Sequence, residues 1–378
     1  MNSKKIKILH VHVLPILSGV QKVSLDILKK LDDNLYDKYV LFGPNCDSAD
    51  FEFCINSFKK SNTKILFCQS LRREISLLDF FAIKELYGIF KLYKFDIIHT
   101  HSTKPGILGR LVAKILKTNL IIHTIHGISF HKNIFILKRF IFYLMEILFS
   151  LLSHEITCVN NYYLKYYPFF RKKIHVIPNG LDFSILTHNT IYNRISNNFN
   201  VLFVGRLEDA KDPISLINAA NIIKHKHKIS NIKFTIIGDG SLYNICNKLI
   251  IDLDLSDTVA LNGWSNNVND FYACHDIFCV PSIFESFGLV FLEAGFYSLP
   301  TISTNVEGIP EVIINNKTGI LINPNTPIIL AEKIIMLYFN RNYAKQLGDN
   351  ANKFVTKNFT IDKMFIKYEN IYKKVSLN

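Results

Sequence analysis

Short apolar runs of three to eight residues alternate along the whole chain with longer stretches of helical period. This strand–helix rhythm predicts parallel sheets with helices on both faces. In the first half the candidate strands are Ile6–Val13, Lys38–Phe42, Lys64–Phe67, Asp96–Thr100, Leu120–His123 and Glu155–Val159. In the second half they are Asn200–Val204, Lys233–Ile237, Val259–Asn262, Ile277–Val280, Thr301–Ser303 and Gly319–Ile322. Between the sets lies His175 to Asp182, whose Pro-Asn-Gly is a turn signal, followed by a polar tract at 187–200. The expected architecture is α/β: two doubly wound Rossmann-like domains facing a cleft, residues 1–180 and 181–360. A last segment, 361–378, carries a helix from about Ile361 to Val375. In such folds a ligand binds at the carboxyl ends of the strands.

One run, Ile134 to Leu152, is apolar enough to raise a membrane span, but Lys138, Arg139 and Glu146 interrupt it. Arg139, Tyr143, Glu146, Ser150 and Ser153 recur at four, three, four and three, which marks an amphipathic helix with a wide apolar face. That face is expected to dock against the core, with partial insertion into a membrane interface as the alternative. The N-terminal run MNSKKIKILHVHVL begins with charge, but His10 and His12 break it and no small-residue cleavage site follows. It reads as a first strand, not a signal peptide.

Composition and charge narrow the picture. At 378 residues, 49% hydrophobic and 20% charged, the chain can bury two real cores. Its seven cysteines include no Cys-x-x-Cys pair, so free, mostly buried thiols in a reducing cytosol are expected. Residues 1–180 carry 26 Lys and Arg against 13 Asp and Glu, whereas 181–378 carry 18 of each. The whole excess of +13 thus lies in the first half, which implies an anionic partner there. A phospholipid surface or a pyrophosphate-linked acceptor fits; a plain solubilising surface is the bland alternative. Nucleic acid is set aside because no recognised binding module accompanies the charge.

The most informative stretch is Val280 to Ala294, VPSIFESFGLVFLEA. It sets Glu285 in a loop context and Glu293 eight residues on, with Phe287, Gly288 and Leu289 turning into a helix whose first N–H groups suit an anion or polyol. A hydrolase acid/base pair is the rival reading. Eight helical residues span roughly 12 Å, against about 5–9.5 Å for hydrolase carboxylates, so two separate ligand contacts fit better. Upstream, Val204 to Asp212 places Arg206 and Lys211 after a strand; they suit a departing anion, or else form surface pairs with Glu208 or Asp209. No Gly-x-Gly-x-x-Gly turn or P-loop lysine motif appears. His99, His101 and His123 alternate on strands and make no open tetrahedral zinc set.

The Glu-x7-Glu stretch and its flanks closely resemble the signature of retaining glycosyltransferases of family 4. The likeness continues in Ser18-Gly19-Val20-Gln21, Asp96 to Gly106, Ile122 to Gly127, Gly205-Arg206-Leu207 with Lys211, and Glu307 to Glu311. Ser18 departs from the family's usual pair of glycines, which stiffens that loop. The resemblance implies a GT-B fold whose last helix crosses back to the first domain, and a hexosyltransferase that moves a sugar from a nucleotide-sugar with retention. It implies that Arg206 and Lys211 meet the pyrophosphate, Glu285 orients the sugar, Glu293 holds the ribose and His126 contacts the donor sugar and phosphate. Gly19, Gly238, Gly240, Phe287, Gly288 and Leu289 would lie along the donor, and His101, Ser102 and Lys104 along the acceptor. Metal-dependent transferases of the other large fold use an Asp-x-Asp pair; Asp252-Leu-Asp254 has the spelling but reads as a solvated turn. No cofactor and no divalent metal are expected, because positive side chains take the cation's place. The expected acceptor is a lipid-linked saccharide in bacterial surface-polysaccharide synthesis, of lipopolysaccharide or O-antigen type. The enzyme would be cytoplasmic, or peripheral on the inner face of the membrane. A soluble acceptor, or a non-catalytic nucleotide-sugar or membrane-binding protein, are the alternatives.

Overall fold

The structure, a computed structural model, describes residues 4–44, 49–73, 78–131, 134–186, 198–265 and 267–375; Cys46 and the polar tract from 187 to 197 lie outside the described residues. The chain forms two compact units, one of residues 1–179 with 361–378, the other of residues 180–360.

In the first unit β1 (Ile6–Val11), β2 (Tyr36–Phe42), β3 (Lys64–Phe67), β4 (Ile97–His101), β5 (Leu120–Ile125), β6 (Glu155–Cys158) and β7 (Ile174–Val176) form one parallel sheet in the order β3-β2-β1-β4-β5-β6-β7. Its connecting helices are α1 (Gly19–Lys30), α2 (Ala49–Lys60), α3 (Leu78–Tyr93), α4 (Thr103–Ile115) and α5 (Ile136–Ser150). In the second unit β8 (Phe199–Val204), β9 (Ile232–Ile237), β10 (Val259–Leu261), β11 (Ile277–Val280), β12 (Thr301–Thr304) and β13 (Gly319–Ile322) run parallel in the order β10-β9-β8-β11-β12-β13. They alternate with α6 (Pro213–Asn221), α7 (Tyr243–Asp252), α8 (Asn269–Cys274), α9 (Leu289–Phe296), α10 (Ile309–Val312), α11 (Pro327–Phe339) and α12 (Arg341–Asn358). The last helix, α13 (Ile361–Tyr372), belongs to the first unit, where Met364, Tyr368, Ile371 and Tyr372 are buried with Ile8, Val23 and Ile97.

The alternating pattern gives two doubly wound α/β sheets. Strand order reverses between β1 and β4 in one and between β8 and β11 in the other, which opens a crevice at the carboxyl edge of each. β7 was not legible: three residues before Ile177-Pro178 read as the start of the linker. Pairing with β6 and a 2.6 Å hydrogen bond between His175 Nε2 and Glu155 hold it in the sheet. Six of the seven cysteines are described and all are free; five are buried and Cys274 is half-buried. Burial pushes the Cys68 thiol up to about 12 and that of Cys246 to about 11, so both are poor nucleophiles at neutral pH. Among the described residues no helix is long and apolar enough to cross a membrane.

α5 corrects the expectation that its apolar face docks on the core. Its buried residues are Glu146 and Ser150, while Ile136, Phe140, Leu144 and Leu148 are exposed. Glu146 accepts hydrogen bonds from Arg110 of α4 at 3.4 Å and from Ser150 at 3.3 Å, and His123 Nε2 lies 3.9 Å away. Arg110 is fully buried, so its charge needs a partner at depth, and Glu146 is that partner. The polar stripe therefore turns inward and the apolar stripe outward. Replacing Glu146 with Ala strands the guanidinium and should lower the unfolding free energy of this unit by about 3–5 kcal/mol. The pair Arg110→Met, Glu146→Leu should lose much less. Urea unfolding of both variants checks this; equal stability of Glu146→Ala and wild type would show that water reaches Arg110.

Candidate active site

In the second unit the loops leaving β8 and β11 flank the reversal of strand order. The first, residues 205–212, folds back on itself through Lys211 N–H to Glu208 O at 2.9 Å, and Ala210 O accepts Ile283 N–H of the second at 2.9 Å. That backbone tie brings Lys211 against Glu285, and the two form an ion pair. Both side chains are mostly buried, which strengthens their attraction relative to a surface pair. Arg206 projects outward and pairs with Glu208, the surface partner considered from sequence. Its side chain is 57% accessible, so water screens that pair and an incoming anion competes with it at little cost.

Close backbone approach explains two of the glycines. A Cβ on Gly238, at φ 145°, would fall 1.9 Å from Gly205 O, so the loop after β9 packs directly under the loop after β8. The neighbouring Gly240 meets Leu207 O at 2.5 Å by the same measure. Gly288 sits at φ 78°, and a Cβ there would meet the Phe291 ring at 2.5 Å and Glu285 Cγ at 3.3 Å. It precedes Leu289, the first residue of α9, and as a glycine it brings no capping side chain of its own. Phe287 is buried and packs edge-on to Phe359 at 5.6 Å, fixing the turn that presents Glu285. One turn into α9, Glu293 accepts a 3.0 Å hydrogen bond from the phenol of Tyr272 on α8. Burial, then the Glu293 charge, holds the Tyr272 phenol well above its ordinary value, so it remains a donor.

Two residues here escaped the sequence reading. Tyr272 carries no local motif. Asp212 does: it precedes Pro213 at the start of α6, caps the helix by accepting Ser215 N–H at 3.0 Å, and its buried carboxyl is lifted above the usual range by burial. Asp252 and Asp254 stand exposed at the end of α7, with Asp254 paired to Lys224. Glu311 lies in the first turn of α10.

The carboxyl edge of the first sheet is lined by histidines. Tyr372 OH bridges His10 Nε2 at 3.1 Å and His99 Nδ1 at 2.8 Å; His101 Nε2 meets His10 Nδ1 at 3.0 Å, and His101 Nδ1 meets His126 Nε2 at 3.0 Å. His101 is thus fully buried inside the network and lines no open surface of its unit. His126 is half-buried at the network's outer end, next to exposed Gly127. Ser102 is exposed before α4, Lys104 pairs with Asp79 at 2.6 Å, and Gly19 is exposed at the first position of α1. His10, His12 and His101 form the group, among the described residues, whose nitrogens lie close enough for one ion, within 4.8 Å. The His12 and His101 rings stack nearly parallel, 7° apart in plane with centroids at 4.5 Å. Their in-plane lone pairs therefore run nearly side by side and do not converge as the ligands of a tetrahedral site do.

Burial keeps these rings neutral. It lowers His10, helped by His126, and His126 itself to about 3, and takes His12, His99, His101 and His123 well below the ordinary value. The unfolded chain protonates near pH 6.5 while the folded one resists until about 3, so stability is full above pH 6.5 and falls as the pH drops through that window. At pH 5.5 each fully buried ring costs about 1.4 kcal/mol. The melting temperature of the first unit should therefore fall clearly between pH 7.5 and 5.5, with net proton uptake on unfolding. A flat profile in scanning calorimetry would contradict the buried, neutral assignment.

Residues 17–184 match the family model "Glycosyltransferase Family 4" and residues 188–354 match "Glycosyl transferases group 1". The chain is 29% identical over 391 residues to the Escherichia coli UDP-Gal:alpha-D-GlcNAc-diphosphoundecaprenol alpha-1,3-galactosyltransferase, covering 99% of this chain and 98% of that one. It is 32% identical over 285 residues to an uncharacterized glycosyltransferase of Methanocaldococcus jannaschii, covering 74% and 76%. The Anabaena HepE crystal structure in complex with UDP and glucose shares the fold with a TM-score of 0.81 at 17% identity, covering 98% of this chain and 100% of that one. Two parallel-sheet units of this order, each matched by one of these models, together with these relatives show that the chain belongs to the group 1, family 4 glycosyltransferases of GT-B fold.

Proposed function

We propose that the chain transfers a hexose from a nucleotide-sugar to a lipid-linked saccharide with retention of the anomeric configuration, in bacterial surface-polysaccharide synthesis. The observation that carries this is the ion pair of Lys211 with Glu285 at the reversal of strand order, beside exposed Arg206. A pyrophosphate arriving there finds two cations, and Glu285, released from Lys211, can accept hydrogen bonds from sugar hydroxyls. The Glu293 carboxylate, oriented by Tyr272, is assigned to the ribose, and Gly238, Gly240 and the start of α9 to close backbone contact with the donor. His126 is the residue assigned to the donor in the N-terminal unit. Support for the acceptor comes from the Escherichia coli relative, whose name specifies a GlcNAc-diphosphoundecaprenol, and from the basic first half of the chain.

In this reading the bond from the anomeric carbon to phosphate breaks with its electron pair staying on the phosphate oxygen. The acceptor oxygen then bonds to the same face of the oxocarbenium-like centre. The acceptor's proton passes to the leaving phosphate, so no enzymic nucleophile is required. Arg206 and Lys211 lower the barrier by stabilising charge that grows on the departing group. The same side chains fill the role a divalent cation plays elsewhere, and we propose that none is needed.

Turnover of UDP-, GDP- and ADP-sugars with membrane extract as acceptor tests the reading; hydrolysis or transfer of none of them would leave a binding protein. Lys211→Ala and Arg206→Ala should each cut kcat about 10²–10³-fold with an unchanged circular dichroism spectrum. Near-normal turnover in either variant would remove that residue from the site.

Transfer should also persist in excess EDTA. Complete loss, restored by Mg²⁺ or Mn²⁺, would overturn the cation-free reading and return attention to Asp252 and Asp254.

A further inference from the structure

We infer that α5 is a membrane-docking helix that lays its outward apolar face into the headgroup boundary of an anionic bilayer. This deepens the lipid-acceptor reading by naming the surface that meets the lipid. Ile136, Leu137, Phe140, Ile141, Leu144 and Leu148 all point away from the unit, with Ile136 75% and Phe140 60% exposed. Leu137, Ile141, Leu144 and Leu148 recur at four, three and four, so with Ile136 and Phe140 they cover an arc of roughly 140° on one side of the helix. The helix cannot roll to hide them. Turning that side inward would draw Glu146 away from fully buried Arg110 on α4 and leave both charges without their partner.

Charge decides what covers the face. From 134 to 173 the only acids are Glu146, buried against Arg110, and Glu155, which is paired with His175 and Lys374. The bases of that stretch are Lys138, Arg139, Lys165, Arg171, Lys172 and Lys173. Lys173 Nζ donates to Ser150 O at 2.7 Å and Ser153 O at 2.8 Å, which ties the loop carrying exposed Arg171, Lys172 and Phe169 to the end of α5. An apolar strip whose segment of the chain, 134–173, carries cations and no acid left without a cation partner complements acyl chains beneath anionic headgroups. A second copy of the chain, meeting the same face across a two-fold axis, would set those cations against each other. An amphipathic helix of this kind sinks roughly 5–10 Å, enough to place Phe140 at the acyl boundary.

The test uses the full chain with Trp264, its one tryptophan, changed to Phe and Phe140 changed to Trp. With vesicles of phosphatidylglycerol in phosphatidylcholine, the emission should shift to shorter wavelength and be quenched by bromine on the acyl chains. Vesicles of phosphatidylcholine alone should do much less. Phe140→Ser with Leu144→Ser in the native chain should lower partitioning about tenfold or more while melting and transfer to a soluble acceptor stay unchanged. Unshifted, unquenched emission would overturn the docking face, as would a dimer in sedimentation that the Ser pair dissociates. Quenching without use of any lipid-linked acceptor would uphold the face and remove the acceptor reading; use of such an acceptor without quenching would do the reverse.

Discussion

The Lys211–Glu285 pair and the histidine network both follow from one constraint on parallel sheets. Where neighbouring strands leave in opposite directions across the sheet, their loops part and the carboxyl edge is left open. That happens between β8 and β11, whose loops carry Lys211 and Glu285, and between β1 and β4, whose ends carry His10, His12, His99 and His101. Glycine lets these loops touch where they must, as at Gly238 against Gly205 O. The motifs look scattered in sequence because each strand end contributes only a few residues; the reversal gathers them.

The two crevices handle charge in opposite ways. In the second unit charges are kept and paired, Lys211 with Glu285 and Arg206 with Glu208, and in the reading proposed above an anion exchanges partners with them. In the first unit charge is removed. Desolvation holds the histidines neutral, and a neutral imidazole can both donate and accept. Each ring along the path from His99 through Tyr372, His10 and His101 to His126 uses one nitrogen toward each neighbour, so the tautomer of one constrains the next. Whether the other nitrogen of His126, Nδ1, carries a proton is therefore tied to a phenol on the last helix of the chain.

Much of this was legible. Apolar runs located twelve of the thirteen strands. Glu285, Arg206 and Lys211 stood out through the Glu-x7-Glu stretch and the Gly-Arg-Leu…Lys run, and the structure brings Lys211 and Glu285 together. What stayed hidden was set by partners distant in sequence. β7 is held by Glu155, twenty residues away, and not by its own three residues. Tyr272 reaches Glu293 from another helix with no motif to announce it. α5 was legible as amphipathic but not in its sense. A period of 3.6 tells which residues share a face, and only the buried Arg110 tells which face goes in. Burial of His101 was likewise invisible, since alternation on a central strand of a covered sheet does not separate an open end from a packed one.

The return of α13 makes the second unit an insertion in the first. Tyr372 hydrogen-bonds to His10, 362 residues earlier, so the histidine network is incomplete until the end of the chain is in place. Closing so long a loop would seem expensive, yet the entropy cost grows only with the logarithm of its length. The second unit reduces it further by bringing its own ends together: Leu181 bridges to Thr360, and Leu181 N–H donates to Phe359 O at 2.9 Å. Once that unit is folded, the strands of the first unit and α13 are joined through a short span rather than through 181 flexible residues. The bridge at Leu181 therefore lowers the cost of placing Tyr372, and through it constrains the hydrogen-bonding state that His126 presents.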